Sequence, residues 1–169
     1  MLSKKMNDKL NDQINFEFFS EYYYLAMSAY CDSHDMPGMA QWMLASSQEE
    51  HEHAMRLYNY VINRDGVIEL KEVAAPRKDY DSILDVFETA FNHEKVVTQR
   101  IYDLYKLALD ENDYATQIEL QWFISEQIEE EKKNKDIIQQ LKLSGNKHTA
   151  LFMIDQKLAG MKQGTDSEE

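Results

Sequence analysis

Between residues 5 and 145 the chain offers only one stretch too long to be a turn, residues 66–80. On either side of it apolar residues recur at helical spacing, interrupted by short turn signals. A first helix is predicted over roughly residues 5–33, ended by Asp32, Ser33, His34 and Asp35. Pro37 stands where a second helix begins, a position that tolerates its missing N–H. That helix runs to about Arg64 and stops at Asp65-Gly66. Asp81 or Ser82 caps a third, with Asp85 completing a Ser-x-x-Asp box, and it runs to about Asp110. Glu111, Asn112 and Asp113 turn the chain into a fourth, which ends before Gly145. A short fifth helix carries Leu151, Ile154 and Leu158 on one face. Residues 1–162 read as one domain, and 163–169 as a polar, disordered tail.

Connection lengths constrain how these helices pack. Two short turns make helices one and two antiparallel neighbours, and likewise three and four. A helix of this length spans ~42 Å at ~1.5 Å per residue. Residues 66–80 reach ~50 Å when extended at ~3.3 Å per residue. The segment can therefore return along a whole helix and leave helices two and three parallel. The expected fold is an all-α four-helix bundle with one long crossover and a short C-terminal helix. Only 5 Gly and 2 Pro are present, few for a turn-rich β protein.

The net charge of −13 repels nucleic-acid phosphates and anionic lipid, so no nucleic-acid or membrane partner is expected. It attracts cations, although solubility alone would also explain it. Cys31 is the single cysteine, which excludes an internal disulfide and a zinc-ribbon pair. The opening MLSKKMNDKL has no long apolar run, and a reducing cytoplasm is the expected location.

Heptad stepping exposes an anomaly in the core. The buried line of helix one reads Leu10, Glu17, Tyr24, Cys31, and that of helix two Met43, Glu50, Leu57. Helix three gives Phe87, Glu94, Ile101, and helix four Phe123, Glu130, Ile137. Each glutamate sits mid-helix, so in an antiparallel bundle all four meet at one height. Burying four unpartnered carboxylates would cost several kcal/mol each, and no lysine or arginine falls on these lines. Two divalent cations would balance four negative charges. His53, three residues after Glu50, adds a nitrogen on the same face, making the Glu-x-x-His of di-iron carboxylate proteins. Oxygen-rich ligation with one imidazole suits Fe(II) or Mn(II) over zinc or copper thiolate chemistry. Position 55 is Met, so His51 and Glu52 do not build His-Glu-x-x-His, and a zinc protease is discounted.

QINFEFFSEYYYLAMSAYC, SSQEEHEHAMRLYNYV, FNHEKVVTQRI and LQWFISEQIEEEK resemble the four helices of bacterial non-haem ferritins, and the likeness covers nearly the whole chain. It implies the ferritin-like fold, a ferroxidase that oxidises Fe(II) with O2 or H2O2, and iron storage within a cage of 24 subunits. It further implies that Glu17, Glu50 and His53 hold one iron, and that Glu50 bridges to a second held by Glu94 and Glu130. Gln127 would be a hydrogen-bonding neighbour. Glu49, Glu126 and Glu129 match the family's third iron site, and Tyr24 its redox tyrosine. Trp122 matches the family's tryptophan near the site, and the short last helix would line four-fold channels.

Departures separate the chain from relatives. Bacterioferritins repeat Glu-x-x-His on helix four, where Gln127-x-x-Glu130 stands, and place a haem-binding methionine where this chain has His51. Haem is therefore not expected, while His51 could itself bind metal. Gln117 and Leu120 occupy positions where animal ferritins put acidic pore residues. Two other readings share the residues: a di-iron oxidase acting on an organic substrate or peroxide, and a helical interaction protein whose glutamates form surface salt bridges.

Overall fold

The computed structural model describes residues 1–145 and 147–161. Within them lie five helices: α1 Lys4–Ser33, α2 Pro37–Asn63, α3 Ile83–Asp110, α4 Tyr114–Ser144 and α5 His148–Ala159. Each expected helix is present within about a residue of its expected bounds. The tail expected over 163–169 lies outside the described residues.

Local chemistry explains the helix ends. Ser3, Ser82 and Asp113 accept hydrogen bonds from the Met6, Asp85 and Thr116 amides at the starts of α1, α3 and α4. Asp85 Oδ2 accepts from the Asp81 amide, so the capping box closes one residue earlier than Ser82. Three helices stop through non-glycine residues in the left-handed region, Asp35, Asp65 and Asn112, with φ near 58°, 56° and 54°. At the second stop the aspartate turns the chain. Gly66 is needed for space, since a Cβ there would lie 2.5 Å from Asn7 Oδ1 and 2.6 Å from Val61 Cγ1.

Paired side chains give the helix directions. Ser28 donates to the Ala40 carbonyl and Ser47 to the Glu21 carbonyl, so α1 and α2 are antiparallel. Arg100 with Gln13, and Ser20 with His93, make α1 and α3 antiparallel. Arg56 with Glu119, and Arg64 with Asp113, do the same for α2 and α4. Helices α2 and α3 therefore run parallel, as the long connection requires.

That connection is fastened to α1 by three asparagines one helical turn apart. Asn7 exchanges hydrogen bonds with both backbone groups of Val67, at 3.1 and 3.0 Å. Asn11 donates to the Val67 carbonyl and accepts from the Glu69 amide at 2.8 and 2.7 Å. Asn15 donates to the Glu69 carbonyl and accepts from the Lys71 amide at 2.8 and 2.7 Å. Four helical residues rise ~6.0 Å, and two extended residues ~6.6 Å, so the two repeats stay in step. At the far end Tyr30 donates to the Tyr80 carbonyl at 2.7 Å.

Helix α5 packs back on its own bundle. Ile154 and Leu158 join the buried cluster of Met27, Met39, Met43, Phe87 and Leu141, with Leu151 packed against it. Met36 gives α2 no side-chain cap, and Asp155 of α5 supplies one from a distance, accepting from the Met39 amide at 2.8 Å. Gly38 permits the approach, since a Cβ there would lie 2.0 Å from the Asp155 carbonyl oxygen.

The core has two halves. One gathers Tyr24, Met27, Trp42, Met43, Phe87 and Ile137, and the other Leu10, Ile14, Leu57, Val97, Ile101 and Phe123. Between them lies a polar layer.

Asn11→Ala should lower stability by about 1–2 kcal/mol, because the crossover loses two hydrogen bonds and Asn11 is buried. Hydrogen exchange should quicken at the Glu69 amide, which loses its acceptor, and stay unchanged in α4. Unaltered exchange at Glu69 would mean that the pairing does not hold the crossover.

Candidate metal centre

The polar layer is made of Glu17, Glu50, Glu94 and Glu130, one from each long helix and each at most 3% exposed. The residues a heptad above and below each glutamate are buried and apolar or aromatic. His53 is also buried, with its Nδ1 3.8 Å from Glu50 Oε1 and its ring edge-on to Trp122 and Phe123.

Protein donors satisfy part of this layer. Gln13, one turn before Glu17, donates to Glu17 Oε1 at 2.7 Å, and is itself held by Arg100 at 2.8 Å. Tyr24 donates through its hydroxyl to Glu94 Oε1, and Gln127 donates to Glu94 Oε2 at 3.0 Å. Glu17 and Glu50 lie close enough for the charge of Glu50 to act on Glu17. Among the described residues, buried atoms Glu17 Oε2, Glu50 Oε2 and Glu49 Oε2 have no hydrogen-bond partner. A layer of buried acceptors short of donors is the environment a cation would complete. Among the described residues no three His, Cys, Asp or Glu side chains stand in ligating geometry in this arrangement.

Crowding shows in the proton affinities. Burial, and then the charge of Glu50, raises the Glu17 carboxyl from 4.5 to about 8. Burial and the neighbouring Glu130 raise Glu94 to about 7, against the lowering effect of its bonds to Tyr24 and Gln127. Glu50 stands well above the usual carboxylate range, from burial first and Glu94 second. Burial and the adjacent Glu94 also hold the Tyr24 hydroxyl protonated.

A compensating charge comes from beside the heptad lines. No basic residue lies on the four heptad lines, yet Lys133, one turn past Glu130, reaches in and pairs with Glu130 Oε1 at 2.6 Å. Glu130 is therefore compensated by the protein itself. Burial disfavours the Lys133 charge, but Glu130, Glu49 and Glu126 outweigh it and raise its pKa. Its i,i+3 spacing from Glu130 was visible in the sequence, as was the i,i+4 spacing of Gln13 from Glu17; stepping by sevens passed over both.

The other candidates are spread outward from the layer. Glu49 and Glu126 are half-buried, and Glu129 is exposed. Burial and Glu130 raise Glu49 to about 7 and also raise Glu126. Trp122 is half-buried with the Arg56 guanidinium 4.0 Å above its ring. His51 lies on the far face of α2, exposed, bonded to Glu21 at 3.1 Å and edge-on to Phe18. Leu120 is fully buried in its own bundle, and Gln117 donates to the Ala108 carbonyl.

Comparison with known proteins identifies the family. The model of the ferritin-like domain matches residues 7–144. The chain is 39% identical over 158 residues to the bacterial non-heme ferritin of Staphylococcus aureus (strain USA300), covering 94% of this chain and 95% of that one. It is 38% identical over 159 residues to the bacterial non-heme ferritin of Escherichia coli O6:H1, covering 94% and 96%. The open pore ferritin of the archaeon Archaeoglobus fulgidus superposes with a TM-score of 0.95 at 41% identity, over 96% of this chain and all of that one. With its bundle, its crossover and these relatives, the chain belongs to the ferritin family of iron-storage proteins.

Proposed function

We propose that this protein stores iron by oxidising Fe(II) at the four-glutamate layer and passing the ferric product to a mineral. The observation that carries the reading is one buried glutamate from each of four helices at a single level. Iron is the substrate. Glu17, Glu50 and His53 take one Fe(II); Glu50 is shared with a second, held also by Glu94 and Glu130. Each iron gives an electron to O2 or H2O2, and the carboxylates favour the ferric ions that result. Gln127 and Tyr24 both bond to Glu94, so they orient that ligand. Tyr24 is also placed to give an electron. Glu49, Glu126 and Glu129 form an outer acidic group for a third iron.

We also propose that the chain works as a cytoplasmic cage of 24 copies. Large apolar side chains on the outer faces of α4 and α5 support assembly, among them Ile118, Ile128, Leu143, Phe152 and Met153, all more than 60% exposed. With Ile154 and Leu158 committed to their own core, Phe152 and Met153 are the α5 residues free to meet a neighbouring copy. No described helix is long and apolar enough to cross a membrane.

Glu50→Ala should slow the first oxidation by at least ~100-fold, the upper end of what losing even an outer partner of a metal ligand costs. Anaerobic loading with two Fe(II) per subunit, followed by an oxygen pulse, reads this. Near-normal initial oxidation would defeat the bridging role.

Tyr24→Phe keeps the ring and nearly the same volume. Fe(II) should still bind, but freeze-quenched samples should lose a tyrosyl radical that the parent forms. A radical of equal intensity in the variant would remove Tyr24 from the redox step.

The raised carboxyls also predict a pH effect on the metal-free protein. Glu17 and Glu94 bind protons more tightly folded, at about 8 and 7, than at their ordinary 4.5. The stability they contribute is complete below pH ~4.5 and is lost as pH rises through those values. The melting temperature should therefore fall between pH 5 and 8, less steeply in Glu17→Gln, and saturating Zn(II) should remove the difference. Parallel slopes in the two metal-free proteins would contradict the assignment.

A further inference from the structure

Lys133 stands out among the described residues because its ammonium is the only one paired to the glutamate layer. It comes from α4, three residues past Glu130, and its side chain is 33% exposed against 4% for Glu130. The head is thus inserted from the edge of the layer, while the stem keeps a path to water. Its charge also acts on Glu49 and Glu126, and theirs on it. Three carboxylates from two helices, Glu49 on α2 with Glu126 and Glu130 on α4, therefore lie within reach of this one ammonium. They remain short of donors, since Glu49 Oε2 is buried without a partner among the described residues.

We infer that Lys133 is a tethered counter-ion that occupies the group formed by Glu49, Glu126 and Glu130, so that a divalent cation enters there only by displacing the ammonium. The inference rests on the proposed paired iron site and adds an order of filling to it. An ammonium offers one charge on a flexible four-carbon stem, strongly hydrated and easily returned to water. A divalent ion offers two charges and can be shared among several carboxylate oxygens, so it wins once its concentration is high enough. Glu17, Glu50 and His53, the ligands of the first iron, have no such competitor and fill first. Glu130 belongs to both groups, so release of Lys133 frees the oxygen that links them. Lys133 is thereby a specificity-determining residue, and it keeps the group of Glu49, Glu126 and Glu130 empty of metal while iron is scarce.

The test uses Zn(II), which binds without oxidation, and the full-length protein. Crystals of the parent, Lys133→Gln and Lys133→Arg are soaked over a range of zinc concentrations, and site occupancy is read by anomalous diffraction. Glutamine keeps an N–H donor for Glu130 without the charge, so Glu130 is not left bare if removal of the pair disturbs folding. Arginine keeps the charge. In Lys133→Gln the peak among Glu49, Glu126 and Glu130 should reach half occupancy at about tenfold lower zinc, the factor equivalent to ~1.4 kcal/mol. Lys133→Arg should resemble the parent. Equal concentrations for all three would overturn the counter-ion role while leaving the paired site standing. No zinc among Glu17, Glu50, His53 and Glu94 in any of them would overturn the paired site and this inference together.

Discussion

Everything in this bundle is arranged around four negative charges that the fold removes from water. A buried carboxylate without partners is costly, and here four lie at one level in the middle of the core. The protein meets that cost in three ways. It protonates, as the raised affinities of Glu17, Glu50 and Glu94 record. It supplies donors from one turn away, as Gln13 does for Glu17, and from across the bundle, as Tyr24 and Gln127 do for Glu94. It inserts one ammonium, at Glu130. These measures leave acceptors over, in a layer with apolar clusters above and below it. What the fold leaves unsatisfied is a set of acceptors that suits a cation.

Within this layer the fold gives up stability. The two apolar halves of the core supply cohesion, and the layer between them subtracts from it. Two aromatic-rich ends with long helices tolerate such a loss, where a smaller core would not. The helix ends are correspondingly well finished: α2, whose own first residues lack a cap, takes one from Asp155.

Much of this was legible in the sequence because helical periodicity is a strong signal. The glutamates announce themselves by interrupting apolar heptads at Glu17, Glu50, Glu94 and Glu130, and the length of the crossover fixes the parallel pair. What escaped were contacts outside the heptad lines. Lys133 and Gln13 approach the layer from the next turn, and whether a long side chain turns inward depends on space that spacing alone does not report. Asn7, Asn11 and Asn15 form a regular stripe, but asparagine one turn apart on a helix has no meaning until a partner backbone is known to lie beside it. The docking of α5 rests on Gly38, whose missing side chain becomes informative only when Asp155 is seen against it.

The asparagine stripe has a consequence for how this chain can vary in length. Along Val67, Glu69 and Lys71 the crossover is measured against α1 in steps of two residues to one turn. A single-residue insertion there would present the wrong backbone groups to Asn11 and Asn15, and the strand would turn its side chains over. Beyond Lys71 the chain is exposed through residues 72–75 before Tyr30 takes hold of Tyr80. Slack of a residue or two can be absorbed in that interval without moving the start of α3, and hence without changing the height at which Glu94 meets its three counterparts. Homologues should accordingly tolerate gaps in the second half of the crossover and resist them in the first.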